Sequence, residues 1–353
     1  MNRLESLIRR LAWVSLIFVY LVIVAGSVVR MTGSGMGCPD WPKCFGYAIP
    51  PTSVDDVTWE SGRQYNKGQM IVHEFFNGEI YEDRMLTAKE DFTAGADYNS
   101  ANWELYDKHD YAIFNPIHTW IEFINRLIGA LTGIPVLALF AASLLFAIRH
   151  KKWAYFFLAG GVLFMLGFEA WLGKLVVDGN LIPGSITIHM LGSIVLFVLL
   201  LFIIRRGQVR RFTLARNVSL LLVAGMIITL AQILLGTQVR EEVDHLVHAG
   251  VMDRSLWIEN LENPTTYLIH RSFSWVVLIV IGAWYYLQQK ATQVVPEMHL
   301  ALGLLLLQLI VGITLAYGGM PASLQPVHLV AGMIMLGALW SALLRGMGKA
   351  TSA

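Results

Sequence analysis

The sequence predicts an all-α polytopic membrane protein in which eight transmembrane helices form two pseudo-repeated four-helix bundles. Three observations support this fold class. The 353 residues are 56% hydrophobic and only 14% charged, a balance that does not fit one soluble core. Apolar segments of about 20 residues, the length that crosses a bilayer, recur along the chain. Motifs in the first half of the chain return in the same order in the second half.

The predicted transmembrane helices are separated by short polar or basic segments and one long loop. The first apolar stretch lacks a convincing small-residue cleavage site, so we interpret it as a retained span and not as a signal peptide. The approximate spans are 11–30, 114–148, 153–176, 184–205, 215–238, 264–288, 297–317 and 324–345.

The distribution of Lys and Arg predicts the orientation of the chain. The densest basic segments are RHKK (149–152) and RRGQVRR (205–211), and both termini are basic too. By the positive-inside rule these segments face the cytoplasm, so both termini are inside and the loop 31–113 is outside. The expected location is the bacterial cell (inner) membrane, with lipid as the surroundings. The net charge of +1 argues against a nucleic-acid partner.

These spans and loops define the predicted domains. They are a first transmembrane helix (1–30), an extracytoplasmic cap (31–113), the rest of an N-terminal four-helix bundle (114–205), a cytoplasmic linker (206–214), a C-terminal four-helix bundle (215–345) and a cytoplasmic tail (346–353). The cap carries the two cysteines of the chain, Cys38 and Cys44. In an oxidising compartment this spacing predicts a disulfide or a redox-active pair.

An internal repeat relates spans 1–4 to spans 5–8. Four features recur in order, and this makes a chance match improbable. The matched features are Gly26–Arg30 and Gly236–Arg240, Asn125-Arg126 and His270-Arg271, Gly173 and Gly312, and His189 and His328.

Two histidines of the second half suit a haem iron. His270 and His328 enter different helices from the same side of the membrane, as axial ligation from both faces requires. Arg271 and Arg240 are candidates to pair with haem propionates, and Arg126 and Arg30 are the corresponding residues of the first half. The alternative is that the histidines only form hydrogen bonds between packed helices.

The first half differs from the second half at the positions that would take part in a reaction. It keeps His189, but Asn125 replaces the partner histidine and Glu122 stands where the second half has a tyrosine. An incomplete ligand set beside a buried acid indicates a reaction site, with Glu122 as the group that transfers a proton or stabilises positive charge. His118 could supply the missing ligand, although it lies about 10 Å further out along the helix. The alternative is that Glu122 only pairs with Arg126 or Lys174.

A second acidic position also differs between the halves. Glu169 precedes Gly173 by four residues, and Gln308 precedes Gly312 by four. For both side chains we expect a hydrogen bond between helices.

At this point the chain resembles the haem A synthase (Cox15/CtaA) family. GSVVRMTGSGMGCPDWPKCFG (26–46) is similar to the segment that follows the first span in that family. IEFINR (121–126) resembles its Glu-x-x-His-Arg segment, and LIHR (268–271) resembles the counterpart in the second half. The resemblance covers all eight spans and leaves out the insert 47–113.

The resemblance implies both an activity and a ligand set. Haem b would be held in the C-terminal half by His270 and His328. Haem O would be converted to haem A in the N-terminal half, a ring methyl becoming a formyl group by successive hydroxylations and loss of water, with Glu122 essential. Cys38 and Cys44 match a cysteine pair with a redox or haem-delivery role. Since Asn125 stands where the family has histidine, our hypothesis is that His189 holds the substrate iron, with the opposite face open or reached by His118.

The resemblance also implies partners. They are haem O synthase (protohaem farnesyltransferase), cytochrome oxidase assembly factors and an electron donor that the sequence does not identify, and a homo-oligomer is possible. Two other functions stay open. A non-catalytic di-haem b cytochrome would need two inert six-coordinate haems, which Asn125 and Glu122 oppose. A transporter would need broken helices with polar groups at the bilayer midplane.

Overall fold

A computed structural model describes residues 3–76, 81–107, 114–179, 184–206, 216–291 and 295–347. Within these residues eight helices are long and apolar enough to cross a membrane, which confirms the predicted all-α membrane class. Most of the predicted linker 206–214 and of the tail 346–353 lies outside the described residues. The helices are α1 (Arg3–Thr32), α2 (Pro116–His150), α3 (Ala154–Asp178), α4 (Ser185–Arg205), α5 (Arg216–His248), α6 (Pro264–Ala291), α7 (Pro296–Tyr317) and α8 (Leu324–Gly346).

Local sequence signals fix where the helices that carry the candidate site begin. The side-chain oxygen of Asn115 accepts hydrogen bonds from the backbone N–H groups of Ile117 (3.0 Å) and His118 (3.3 Å). This cap satisfies amide groups that have no partner within α2. Pro264 and Pro296 open α6 and α7, at positions where the N–H that proline lacks is not needed.

Helix α5 is longer than the span predicted to end at residue 238. The helix continues because Arg240 and Asp244, one turn apart, form an ion pair of 2.8 Å. Val243 and Leu246 are also buried in a small apolar cluster with Trp257. The end of α5 is therefore an amphipathic extension beyond the predicted span.

The chain divides into two compact units. We call the first the helical unit, which comprises Met1–Ser27, Gly129–Glu169 and Pro183–Ala353, and the second the cap unit, which comprises Val28–Ile128 and Ala170–Ile182. The helical unit contains segments of all eight helices, and the cap unit contains the loop 31–113 with the adjoining ends of α1, α2 and α3. The predicted division into two separate bundles stays a prediction.

The helical unit has one large apolar core. Helices α5, α6, α7 and α8 pack in chain order, α8 also contacts α5, and α4 packs against α8 and α5. Fully buried side chains of this core include Leu139, Phe197 and Trp284. The four C-terminal helices thus surround a common interior, as in a four-helix bundle.

The cap unit contains two small antiparallel sheets that were not predicted from the sequence. One pairs β1 (Gln64–Tyr65) with β4 (Phe92–Thr93), and the other has the order β2 (Met70–Phe76), β3 (Tyr81–Ala88), β5 (Trp103–Leu105).

Strand β2 separates two apolar clusters of the cap unit. Met70 and Val72 pack in the cluster that contains Cys38 and Cys44, whereas Ile71 packs in the cluster around Tyr65. Successive side chains of a strand point to opposite faces, so one strand can supply both clusters. The cysteine segment is thereby packed on a folded cap.

A buried carboxylate joins three helices of the helical unit. Glu297, in the first turn of α7, binds Arg205 of α4 through Oε1 (2.6 Å) and Arg345 of α8 through Oε2 (3.1 Å). The hydroxyl of Ser341 also donates to Oε1 at 3.2 Å. All three ionic side chains are mostly shielded from solvent, so the loss of one member leaves the opposite charge buried.

We predict that Glu297→Ala strongly destabilises the helical unit. The variant leaves Arg205 and Arg345 without their shared carboxylate, a change that typically costs about 3–5 kcal/mol for a buried pair. Thermal unfolding in detergent, followed by circular dichroism, measures the effect. Lys174→Ala, which breaks the solvent-accessible pair with Asp178, is the control and should cost less than about 1 kcal/mol. Equal melting temperatures for the two variants would contradict the prediction.

Candidate functional site

Two histidines of the helical unit face each other from different helices. The ring centres of His270 on α6 and His328 on α8 are 6.2 Å apart, and the ring planes are inclined by 81°. Imidazole–metal bonds are about 2 Å long. Two such bonds, together with the distance from each nitrogen to its ring centre, span roughly the observed separation. The geometry therefore fits one metal atom held between the two rings.

A pair of glutamines anchors the backbone at these histidines. The amide of Gln232 on α5 donates to the carbonyl oxygen of His270 at 2.6 Å. The amide of Gln308 on α7 donates to the carbonyl oxygen of His328 at 2.5 Å. Because the glutamines bind the backbone, both rings stay available, and each ring has a buried Nδ1 without a hydrogen-bond partner among the described residues. Unpaired buried polar atoms of this kind indicate a place for a ligand.

Two glycines leave space beside the rings. A Cβ atom at Gly236 would lie 3.2 Å from Cε1 of His270, and one at Gly312 would lie 3.4 Å from Cε1 of His328. The helices that face the histidines therefore approach them closely because these positions lack side chains. The residues present fit a haem iron that both histidines bind.

The predicted propionate-binding arginines of this half differ in their surroundings. Arg240 is bound to Asp244 at 2.8 Å and to the side-chain oxygen of Gln325 at 2.8 Å. Arg271 is exposed, and its guanidinium lies 3.5 Å from the hydroxyl of Tyr317. Arg271 could turn towards a carboxylate, whereas Arg240 would have to share one with Asp244. Their role in binding propionates stays a prediction.

The matching histidine of the first half has a different partner. Nδ1 of His189 on α4 contacts Oε2 of Glu169 on α3. The His189 side chain is 41% exposed, whereas Glu169 is buried. Its counterpart His328 makes no such contact with the described residues. The two halves therefore hold their shared histidines by different side chains.

In the cap unit, Glu122 is buried and fully paired. Its side chain is only 4% exposed. Oε2 accepts a hydrogen bond from the backbone N–H of Cys38 at 2.8 Å, and Oε1 binds Arg126 at 2.5 Å. Two charge-assisted donors therefore hold the carboxylate against the cysteine segment. The alternative considered for Glu122, a pair with Arg126, is present, together with a partner that the sequence did not indicate.

Arg126 extends the contact along the cysteine segment. Its guanidinium donates to the backbone carbonyl oxygens of Asp40 (2.6 Å), Lys43 (3.0 Å) and Cys38 (3.1 Å). One arginine thus joins Glu122 to both sides of the turn between the cysteines. We call Glu122, Arg126 and the segment Cys38–Cys44 the acidic clamp.

The cysteines form a disulfide, which confirms one of the two predicted alternatives. Cys38 and Cys44 are bonded to each other, and both are fully buried. Before them, Gly37 lies so close to α2 that a Cβ there would be 2.5 Å from the carbonyl oxygen of His118. The hydroxyl of Thr119 donates to the carbonyl oxygen of Gly37 at 2.8 Å. Backbone and disulfide together fix the segment on the first turns of α2.

Asp40 lies within the same turn and has an unusual environment. Burial raises the pKa of this carboxyl above its usual range, while the N–H groups of Gly46 and Phe45 and the charge of Arg126 act in the opposite direction. Oδ2 accepts the N–H of Gly46 at 2.9 Å. Sequence reasoning did not single out Asp40, because only the folded turn brings these groups together.

Three other predicted residues are in the cap unit. His118 is half-buried on α2, Asn125 has a buried Oδ1 without a partner among the residues described, and Arg30 is half-buried near the end of α1. The cap unit therefore holds Glu122, Arg126, His118, Arg30 and the disulfide. The helical unit holds the remaining candidates, which are His189, His270, His328, Arg240 and Arg271.

Comparison with known proteins gives consistent matches. The family described as Cytochrome oxidase assembly protein (COX15-CtaA) matches residues 9–81 and 80–340. A Heme A synthase of Shewanella oneidensis is 26% identical over 234 residues, which cover 64% of this chain and 56% of that protein. Proteins of the same name from Rickettsia akari and Rickettsia felis are 23% identical over an alignment 364 positions long. This alignment covers 94% of this chain and 96% of each relative. The chain thus spans little more than half of the first relative and nearly all of the other two.

We predict that Arg126→Ala exposes the disulfide to reductants. The variant removes the hydrogen bonds to three carbonyl oxygens of the segment, and hydrogen bonds to charged groups contribute about 1.5–3 kcal/mol each. Loss of even one such bond should raise the population of opened segment about tenfold. Timed exposure to dithiothreitol, followed by alkylation and mass spectrometry, measures the reduction rate.

The matched control is Arg63→Ala. Arg63 also donates to backbone carbonyl oxygens of the cap, those of Asp55, Asp56 and Thr58, but it does not contact the cysteine segment. The control should keep the original reduction rate. If both variants reduced equally fast, Arg126 would not be what protects the disulfide.

Proposed function

The chain belongs to the Cytochrome oxidase assembly protein (COX15-CtaA) family, and from that premise we propose that it is a haem A synthase. In this proposal the protein is a multi-pass membrane oxidoreductase that oxidises a ring methyl group of haem O to the formyl group of haem A. The names of the relatives support this reaction over the di-haem cytochrome.

The observation that carries the proposal is the difference between the two histidine sites. His270 and His328 form a facing pair suited to one iron. At the matched positions of the first half, His189 contacts a carboxylate and Asn125 offers no imidazole. A protein that only relays electrons needs two haem sites with both axial ligands in place. A synthase needs one such site and a second site that accepts the substrate.

In the C-terminal half, His270 and His328 would hold a resident haem b. When bound, this haem supplies one-electron transfer. Gln232 and Gln308 hold the backbone carbonyls of the two histidines, and Gly236 and Gly312 keep space beside the rings. The residues of this half therefore bind and orient a group without offering a reactive side chain.

In the N-terminal half, haem O is the proposed substrate and His189 the proposed ligand to its iron. Glu122 is the proposed acidic group, which stabilises positive charge on the substrate or exchanges a proton with it. Its carboxylate is held by Arg126 and by the N–H of Cys38, and both donors favour the charged form of the carboxylate over the protonated form. Movement of the cysteine segment would change the contact between Cys38 and Glu122, and this would link the disulfide to the acidic group.

The proposal includes a location and partners. Both termini face the cytoplasm of a bacterial inner membrane, and the disulfide lies on the oxidising side. Haem O synthase would supply the substrate, and cytochrome oxidase assembly factors would receive the product. The electron donor and a homo-oligomeric state belong to the same set of expectations.

We predict that Glu122→Gln abolishes product formation without releasing haem from the second half. The chain and the variant are expressed in cells that make haem O but no haem A, and extracted haems are separated by chromatography. The wild-type chain should yield haem A or a hydroxylated haem O, and Glu122→Gln should lower the yield at least about 100-fold, as expected for loss of an acid–base group. No new haem species with the wild-type chain would refute the synthase.

A folding control is needed because Glu122 also holds the cysteine segment. The resistance of the Cys38–Cys44 disulfide to dithiothreitol, compared between wild type and Glu122→Gln, reports whether the acidic clamp is intact. A variant that keeps both its disulfide protection and full turnover would show that Glu122 has no chemical role.

We also predict that Gly236→Ala lowers haem occupancy of the C-terminal half. The new methyl group would lie 3.2 Å from the His270 ring and would push it out of position. Alanine favours a helix over glycine by about 0.8–1 kcal/mol, so the fold should survive. The haem content per protein, from the absorption spectrum, measures the effect. Gly303→Ala on α7 is the control, since its Cβ would meet no atom within 4 Å, and equal haem contents would count against the site.

A further inference from the structure

The proposed mechanism does not use Glu169, a buried carboxylate of the helical unit. We propose that Glu169 is a positioning residue that accepts a hydrogen bond from Nδ1 of His189 and thereby orients this histidine, and strengthens it, as the ligand of the substrate iron. The inference deepens the proposed function and rests on it.

The geometry of the pair is the first support. Oε2 of Glu169 contacts Nδ1 of His189, and Oε1 is buried without a hydrogen-bond partner among the residues described. Glu169 itself is 7% exposed. A carboxylate that is removed from water needs a partner to offset the cost of burial. The His189 ring is the partner that the described structure provides.

The second half of the chain provides an internal comparison. At the position that matches Glu169, Gln308 donates to the backbone carbonyl of His328 and forms no hydrogen bond with its ring. A carboxylate has no proton to donate to a carbonyl oxygen. The change from amide to carboxylate therefore moves the contact from the histidine backbone to the histidine ring.

Glu169 and Gln308 each pack against a glycine of the facing helix. Gly192 of α4 lies directly against the Glu169 carboxylate, and a Cβ there would overlap it. Gly332 of α8 lies against the Gln308 amide, and a Cβ there would be 3.1 Å from its nitrogen. The same accommodation occurs in each half, one turn beyond the histidine. Glu169 thus occupies a defined position and is not a side chain that happens to point inward.

The contact has a specific consequence for ligation. When Nδ1–H donates to a carboxylate, the tautomer is fixed and Nε2 is left free to bind a metal. The carboxylate also makes the imidazole a stronger donor, which favours the oxidised over the reduced iron.

The test is a redox titration of the purified full-length protein, loaded with haem O in its N-terminal half and retaining the haem of its C-terminal half. Glu169→Gln keeps the size of the side chain and removes its charge. Its preference for ferric over ferrous haem O should fall about tenfold, because a neutral partner makes the His189 imidazole a weaker donor. For a one-electron couple this is an upward shift of about 59 mV. The midpoint potential of the C-terminal haem should not change.

Two further variants keep the inference falsifiable. Gly192→Ala displaces the carboxylate without changing it and should shift the same step in the same direction. Gln308→Ala removes the matched polar group of the other half and should leave the haem O step unchanged. The C-terminal haem spectrum shows whether the Glu169→Gln and Gly192→Ala proteins are folded, and circular dichroism shows this for Gln308→Ala.

The outcomes separate the inference from the function on which it rests. An unchanged haem O step in both folded variants, with turnover in the wild type, would overturn the role of Glu169 alone. A wild-type protein that binds no haem O would overturn the synthase and the role of Glu169 with it. A shift in Glu169→Gln and Gly192→Ala, without one in Gln308→Ala, would support the inference.

Discussion

A polar side chain within a membrane span has to be paired, because lipid offers it no hydrogen bonds and an unpaired charge there is costly. This constraint explains most of the contacts at the candidate sites. Gln232 and Gln308 use their amides on backbone carbonyls, and Glu122 uses both carboxylate oxygens on donors of the cap unit. Nδ1 of His270 and Nδ1 of His328 are buried without a hydrogen-bond partner among the described residues, so both rings are available to a ligand.

The internal repeat provides one scaffold for two kinds of site. In each half, a polar residue on one helix lies over a glycine of the next and reaches the histidine one turn away. Gln308 contacts the backbone of His328 and does not contact its ring. With Glu169 the contact is to the ring, and the histidine acquires a charged neighbour. The amide of Gln308 thus supports the backbone of its histidine, whereas the carboxylate of Glu169 contacts the ring of its histidine.

Much of the helical architecture could be predicted from the sequence, because hydropathy reports spans directly and the repeat aligns them. The extension of α5 past residue 238 was missed because its amphipathic turns carry Arg240 and Asp244 and look polar in a hydropathy window. The strands of the cap unit were missed because they are short and mixed in polarity, and their pairing joins distant segments. At the site, the i,i+4 pair of Glu122 with Arg126 could be anticipated from helical spacing. Its contact with the N–H of Cys38, 84 residues earlier, could not, because only the fold creates it.

The residue type at position 122 is constrained even before any chemistry is considered. Oε1 faces a guanidinium and Oε2 faces a backbone N–H, so both partners are donors. A carboxylate accepts from both. A glutamine can accept from one through its carbonyl oxygen, but its NH₂ group then faces the other donor. An alanine leaves Arg126 and the Cys38 amide unpaired together. Activity lost in Glu122→Ala therefore combines loss of an acid with release of the cysteine segment, and only a measurement on the segment itself can separate the two.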